Sequence, residues 1–340
     1  MMKRTVIRGS GRYLPPRLVT NNELSQWMDT SDEWIRQRTG IEQRYWTPPE
    51  GGLGSSDLGL EASKIAMQRA GWKPKDIDMI IFATLSPDFF FPGSGSLLQH
   101  KLGLDSIPAL DIRQQCTGFL YGMTTADAYI RSGLANRILL VGAEVHSCGL
   151  DISTNGRDVA VIFGDGAGVV CLEGAQTDEP VGVLASALHA DGAFAESLMV
   201  EAEGSRMKPR ITRELIEEGR HFPTMDGKTI FKLAVQKLPE VVNEVVKKAG
   251  LALDDIDLYI PHQANLRINQ FFAHSLKLPE EKVSNNIQRY GNTTAASIPI
   301  AFDEALEMNI IGDGSTVLFL GLGSGLTLSL IHISEPTRLC

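Results

Sequence analysis

Short apolar runs and amphipathic stretches alternate along this chain. "MIIFATL" (79–85) follows a helical pattern, "IPALDI" (107–112) leads into small residues that open another, and "RILLVGAE" (137–144) follows that one. Continuous apolar runs of this length, separated by helical patterns, predict an α/β fold with strands covered on both faces. Thr30 and Glu33 have capping-box spacing ahead of "WIRQR" and predict a helix start there. In "DVAVIFGDGAGVVCL" (158–172) two β-rich runs flank Asp165-Gly166, which predicts a hairpin. Residues 227–249 carry Phe231, Ala234, Leu238, Val241, Val245 and Ala249 at helical spacing, closed by Lys247, Lys248 and Gly250, with a kink expected at Pro239. Between Phe194 and Pro223 the pattern fades, and the segment reads as a surface excursion or a cap on a pocket.

The chain also echoes itself. "AGWKPKDIDMIIF" (70–82) resembles "AGLALDDIDLYIP" (249–261), and "ILLVGAE" resembles "VLFLGLG". Asp76 and Asp255 are 179 residues apart (255 − 76), and so are Gly142 and Gly321 (321 − 142). A shared offset predicts two homologous halves, joined near residue 175 and packed about a pseudo-twofold axis. The offset carries Cys116 onto residue 295, in "GNTTAASIPIAFDEA", so in both halves a strand gives way to a helix at the molecular centre, where open α/β sheets place ligands.

Composition narrows the classes. A formal net charge of −9 argues against a general nucleic-acid binder. No run reaches a membrane span, and "MMKRTVIRGS" lacks a signal-peptide apolar region. The four cysteines, Cys116, Cys148, Cys171 and Cys340, form no CxxC pair, so neither a metal finger nor a disulfide scaffold is expected, and a cytoplasmic enzyme with reduced thiols is.

Three residues at chain junctions carry candidate chemistry. Cys116, at a helix start, is either a nucleophile whose thiolate the helix favours or a small buried hydrophobe. His262 follows a buried-looking strand and a proline, and is either a presented imidazole or a hydrogen-bonded structural one. Asn292, between Gly291 and two threonines, is either a catalytic amide or a helix cap. Together they suit covalent acyl transfer, whereas the local signature of a papain-like cysteine is missing. Cys171, inside a strand run, reads as core.

"TSDEWIRQRTGI", "DIRQQCTGFLYG", "IFGDGAG", "PHQANLRI" and "GNTTAASIP" occur in the order of a known family. From about residue 4 to 327 the chain resembles β-ketoacyl-[acyl-carrier-protein] synthase III, within the thiolase superfamily. The resemblance implies a thiolase fold of two βαβαβαββ-type halves, 1–175 and 176–327, in five αβαβα layers, and a homodimer. It implies Cys116 as acylated nucleophile, His262 and Asn292 completing a triad, and the backbone N–H groups of Cys116 and Ser324 as an oxyanion hole. It implies Trp34 stacked on the adenine of coenzyme A, Arg38 and Arg157 near its phosphates, Asn265 on the pantetheine arm, Phe91 closing the partner's acyl pocket, and Lys232 and Arg267 meeting the carrier protein.

The implied reaction is a decarboxylating Claisen condensation of an acyl-CoA with malonyl-[acyl-carrier-protein], initiating fatty-acid synthesis without metal or other cofactor. A secondary-metabolism relative with the same triad, or a non-catalytic carrier-protein-binding homologue, are the alternatives. Departures from the family pattern are the run Phe89–Phe91, which leaves primer length open, Ser324 in place of a glycine, and the ending "LSLIHISEPTRLC". That ending resembles a translated library adapter, so residues 328–340 are expected to be a non-native tail, although "LSLIHI" has the pattern of a buried strand.

Overall fold

Every residue of Met79–Ala83, and all but the first of Arg137–Glu144, are buried. Strands of that kind need helices on both sides. The computed structural model describes residues 2–334. Among them the strands are β1 (Met2–Tyr13), β2 (Arg17–Thr20), β3 (Gln43–Trp46), β4 (Met79–Ala83), β5 (Ala109–Ile112), β6 (Arg137–Glu144) and β7 (Gly166–Thr177). They continue with β8 (Gly182–Ala190), β9 (Leu198–Met199), β10 (Thr224–Met225), β11 (Leu258–Pro261), β12 (Thr316–Gly323) and β13 (Thr327–Ser334).

One sheet has the order β1-β7-β6-β4-β5 and a second the order β11-β12-β13-β8. A parallel bridge from Tyr259 to Val283 extends the second sheet where β5 extends the first. Side chains alternate strictly. Ile80, Phe82, Leu139 and Val141 pack outward against Leu58, Ala62 and Ala66 of the helix Ser55–Ala70. Ile81, Ile138 and Leu140 point inward, where the helices Gly118–Ser132 and Ser297–Glu307 also meet Ile260, Phe319 and Ile331 of the second sheet. On the far face Tyr259, Leu318 and Leu330 pack against the helices Gly227–Ala249 and Leu266–Ser275. The result is helix, sheet, helix pair, sheet, helix: the five layers of the thiolase fold.

The repeat is visible element by element. The turn Pro74–Asp76, β4, the turn Gln115–Thr117, the helix from Gly118 and β6 begin at 74, 79, 115, 118 and 137. Their counterparts begin at 253, 258, 294, 297 and 316, each 179 residues later (253 − 74; 316 − 137). Even the backbone strain is duplicated, since Gln115 (φ 47) and Thr294 (φ 48) both adopt the left-handed conformation. The chain changes sheets between Thr177 and Gly182.

Two local expectations fail. Residues 158–163 do not form the first arm of a hairpin: Arg157–Ala160 is a helical turn, and only Gly166–Thr177 is a strand. The Asp165 carboxylate serves longer-range ends, accepting hydrogen bonds from the backbone N–H groups of Thr47 (2.7 Å), His146 (2.7 Å) and Ser147 (3.0 Å). The helix Asp32–Thr39 is capped by Ser31, whose hydroxyl accepts from Trp34 N (3.1 Å); Glu33 accepts from the Gln37 side chain instead of closing a box with Thr30. By contrast, the long helix ends at Gly250 as predicted, in the left-handed conformation (φ 73), and runs on through Pro239.

"LSLIHI" lies inside β13, in the interior of the second sheet; Cys340 lies outside the described residues. His332 is fully buried there with neither ring nitrogen hydrogen-bonded, and burial pushes its imidazole down to about 4. Leaving a buried polar group unpaired costs about 1–3 kcal/mol, so His332→Leu is expected to raise the unfolding free energy by about that much in a urea titration. The pH dependence has a definite sign. The depressed imidazole contributes stability that is present above its unfolded value near 6.5 and lost as pH falls toward about 4, because the unfolded chain takes up the proton first. The variant therefore loses less stability than the parent over that interval. An unchanged slope contradicts the assignment.

No helix among the described residues is long and apolar enough to cross a membrane.

Candidate active site

Cys116 sits in the turn Gln115–Thr117, which runs directly into the helix Gly118–Ser132 and is buried under β12. The contact is close: a Cβ at Gly323 would lie 3.1 Å from both the Cβ and the N of Cys116, which explains a glycine there. The backbone N–H groups of Ser324 and of Cys116 itself both face the sulfur. Ser324 is not among the residues with positive φ, whereas Gly325 is (φ 117), so a serine in place of the family's glycine costs the backbone donor nothing. Its hydroxyl donates to the Leu198 carbonyl.

The helix start does not by itself produce a thiolate. Burial pushes the Cys116 thiol up to about 12 and the nearby Glu144 carboxylate adds to the rise, while the two backbone N–H groups pull it down. The expectation from helix position alone is corrected on this point, because desolvation outweighs the few N–H groups available. A proton acceptor beside the sulfur is required.

His262 follows β11, its N–H bonded to the Leu320 carbonyl (2.7 Å). Its Nδ1 lies 2.6 Å from Ser297 Oγ, and its buried Nε2 has no protein partner. Burial lowers the imidazole to about 3, aided by His146, so the ring is neutral at physiological pH. The Ser297 hydroxyl has two acceptors in reach, His262 Nδ1 and the Thr294 carbonyl at 2.9 Å. Turned to Thr294, it leaves Nδ1 carrying the proton and Nε2 a bare acceptor; turned to Nδ1, it leaves the proton on Nε2.

Asn292 is held by both halves of the chain. Its N–H donates to the Ile162 carbonyl (2.9 Å), and its carbonyl accepts from Gly164 N (3.0 Å). Its Oδ1 accepts from Thr294 N (2.8 Å), which fixes the amide and leaves Nδ2 as a free donor. The loop around Asn292 is thus clamped by "IFGDGAG", the segment misread as a hairpin.

Cys116, His262 and Asn292 all line one cavity of about 950 Å³. Ser324 and Asn265 line it too. The weakly patterned segment from Phe194 to Pro223 covers it through Leu198, Met199, Val200 and Ala202, so it is a cap on a pocket. Sequence reasoning missed four groups at this site: Glu144, His146, Thr294 and Ser297. Glu144 is completely buried, accepts hydrogen bonds from the Leu85 and Ser86 backbone and the Ser86 hydroxyl, and is raised by burial to about 7. The signal was available for two of them, since Thr294 and Ser297 sit at the duplicate positions of Gln115 and Gly118 (297 − 118 = 179).

The remaining predicted residues fall into three groups. The guanidinium groups of Arg38 and Arg157 both lie over the Trp34 ring, 4.2 Å and 5.2 Å from its centroid. Asn265 ties this cluster to the cavity, donating to the Arg38 carbonyl (2.9 Å) while its Oδ1 caps Arg267 N (2.9 Å). Gly40 (φ 80) permits the approach, since a Cβ there would collide with Leu266. Lys232 and Arg267 are exposed on the neighbouring helices, and neither forms an ion pair among the described residues. Phe89, Phe90 and Phe91 are 58%, 59% and 79% exposed, and Phe90, not Phe91, lines this chain's own cavity.

Residues 110–192 match the family described as 3-oxoacyl-[acyl-carrier-protein (ACP)] synthase III, and residues 246–333 match its C-terminal domain. A 3-oxoacyl-[acyl-carrier-protein] synthase III from Aquifex aeolicus VF5 is 38% identical, with a TM-score of 0.87 over 97% of this chain and 100% of that one. The chain belongs to the 3-oxoacyl-[acyl-carrier-protein] synthase III family. The enzyme from Pseudomonas aeruginosa PAO1 is 36% identical over 99% of this chain and all of that one, with a TM-score of 0.89. That from Thermus thermophilus is 36% identical over 97% and 98%, with a TM-score of 0.88. Membership makes the chain an acyltransferase of the condensing type, acting in the initiation of fatty-acid synthesis, as its motifs implied.

Proposed function

We propose that Cys116, His262 and Asn292 carry out a two-stage condensation in which an acyl-CoA primes the enzyme and malonyl-[acyl-carrier-protein] extends the acyl group. The observation that carries this reading is the convergence, on one cavity, of a thiol facing two backbone N–H groups, a bare imidazole Nε2 and a free amide donor.

In the first stage His262 Nε2 takes the Cys116 proton. The sulfur attacks the thioester carbonyl, whose oxygen develops negative charge beside the N–H groups of Cys116 and Ser324. Coenzyme A leaves as the thiol, taking that proton from His262, and the ring returns to its neutral form, free to adopt the tautomer with the proton on Nε2. In the second stage the malonyl thioester carbonyl lies against His262 Nε2, now in its protonated tautomer, and Asn292 Nδ2. Breaking the carbon–carboxylate bond releases carbon dioxide and places the electron pair in an enolate whose oxygen these donors hold. The enolate carbon attacks the acyl-cysteine, the carbon–sulfur bond breaks, and the Cys116 thiolate takes up one proton from solvent, which closes the cycle. Each such donor is commonly worth about 2.7–4 kcal/mol. The thioesters supply all the reacting groups.

Trp34 with Arg38 and Arg157 beside its ring suits a purine that stacks on the indole while the cationic groups meet its phosphates. Lys232 and Arg267 suit an acidic carrier protein; a cation in the first turn of the helix Leu266–Ser275 works against the helix dipole unless an anion meets it. The edge position of β5 in its sheet and the exposed Phe89–Phe91 suit a homodimer. The free thiols of Cys116, Cys148 and Cys171 suit the cytoplasm. Incubation with an acyl-CoA and malonyl-[acyl-carrier-protein] is expected to yield 3-oxoacyl-[acyl-carrier-protein] and one carbon dioxide per product. Carbon dioxide without condensed product, or neither, overturns the reading.

A further inference from the structure

We propose that His146 is a positioning residue which, by holding Thr294, sets the orientation of both His262 and Asn292. The inference rests on the roles proposed above for those two residues.

Thr294 is a β-branched residue in the left-handed conformation (φ 48), which such residues adopt only when their surroundings impose it. All three of its polar groups are engaged. Its N–H donates to Asn292 Oδ1 (2.8 Å) and so aims the amide. Its carbonyl lies 2.9 Å from the Ser297 hydroxyl, the same hydroxyl that stands 2.6 Å from His262 Nδ1. Its own hydroxyl lies 2.6 Å from His146 Nε2. One residue thus connects to both catalytic donors, and the tie that fixes its side chain from outside the 292–297 segment is His146.

His146 is itself rigidly held. Its N–H donates to the buried Asp165 carboxylate (2.7 Å), its ring lies against Phe163 at 4.8 Å, and its Nε2 is 3.8 Å from the Glu144 carboxylate. Burial keeps its imidazole neutral, lowered to about 4, so its bond to Thr294 persists across the physiological range. The duplicated turn clarifies the need. Gln115, in the same conformation ahead of Cys116, is unbranched, whereas in the second half the strain falls on a β-branched residue.

Orienting groups of this kind act on the step whose donors they aim. His146→Leu, which keeps bulk but loses the hydrogen bond, is expected to lower carbon dioxide release from malonyl-[acyl-carrier-protein] by about 10–100-fold. Acyl-adduct formation at Cys116 should fall less, because that stage uses His262 but not Asn292, and the Ser324 and Cys116 N–H groups that face the sulfur are untouched. Thr294→Val should reproduce the split, and the double variant should be no worse than either single one, since both break one bond. His146→Gln, which can still reach the hydroxyl, should recover most of the rate.

Additive losses in the double variant, equal losses in both half-reactions, no rescue by glutamine, or no effect of His146→Leu would each overturn the proposal. Failure of the underlying reading is seen separately, as a parent enzyme that forms no adduct at Cys116.

Discussion

Cys116→Ala is expected to lower condensation by about 10⁴-fold or more, the order of loss when a covalent nucleophile is removed. The sulfur it deletes is the atom that two backbone N–H groups face, and no acyl group can be parked there without it. The same variant should still release carbon dioxide from malonyl-[acyl-carrier-protein], within about tenfold of the parent, because the His262 and Asn292 donors remain in place. Measuring both in one preparation makes the result decisive. Condensation persisting above about one part in a hundred of the parent rate places the nucleophile elsewhere. Cys148, which lines the same cavity, is then the residue to replace next.

Asn292 gives the complementary split. Its Oδ1 is bound by Thr294 N, so the group facing the cavity is the Nδ2 donor. Asn292→Ala is expected to lower condensation and decarboxylation together by about 10²–10³-fold, the cost of one oxyanion donor at about 2.7–4 kcal/mol. Acylation of Cys116 should stay within about threefold, since that step uses the other pair of N–H groups. Asn292→Asp keeps the volume and should be no better than alanine, because a carboxylate opposes the charge that develops. An aspartate variant with near-parent activity would show that the side chain fills space and does not donate.

The large-scale order of this fold was legible because burial on both faces writes continuous apolar runs, and because duplication writes the same run twice. The 179-residue offset found in a few residues is kept by five pairs of elements and by the strained residues Gln115 and Thr294. Two of the three candidates were legible for a related reason, since Cys116 and His262 come where β5 and β11 end and the backbone turns, whereas Asn292 follows the helical turn Ile287–Tyr290 and was marked by its motif alone. Local capping and turn rules were less dependable. Asp165-Gly166 has hairpin chemistry, but its carboxylate is needed by Thr47, His146 and Ser147, and a tertiary demand of three hydrogen bonds overrides a local preference. Ser31 displaced Thr30 as the cap of its helix, a shift of one residue that side-chain chemistry alone does not decide.

His146 and Glu144 left no local signal at all. Glu144 is the last residue of β6 and reads as strand, and His146 lies two residues beyond it; only packing shows that they reach the turn carrying Thr294. The thiol was misjudged in the same way. Helix position is visible along the chain, whereas the burial that opposes ionisation is a property of the assembled layers. The cap after Phe194 was recognisable from weak patterning, because a segment lying over a cavity has no regular apolar face to maintain.

The measurement that tests the account most directly is the intact mass of the protein after exposure to acyl-CoAs of graded length, with the modified peptide mapped and Cys116→Ala treated in parallel. The account predicts one acyl group per chain, on Cys116, absent from the variant. The chain length taken up most readily then reports the cavity beside Phe90. An adduct that survives in the variant, or a folded parent protein that accepts no acyl group from any acyl-CoA, would contradict it.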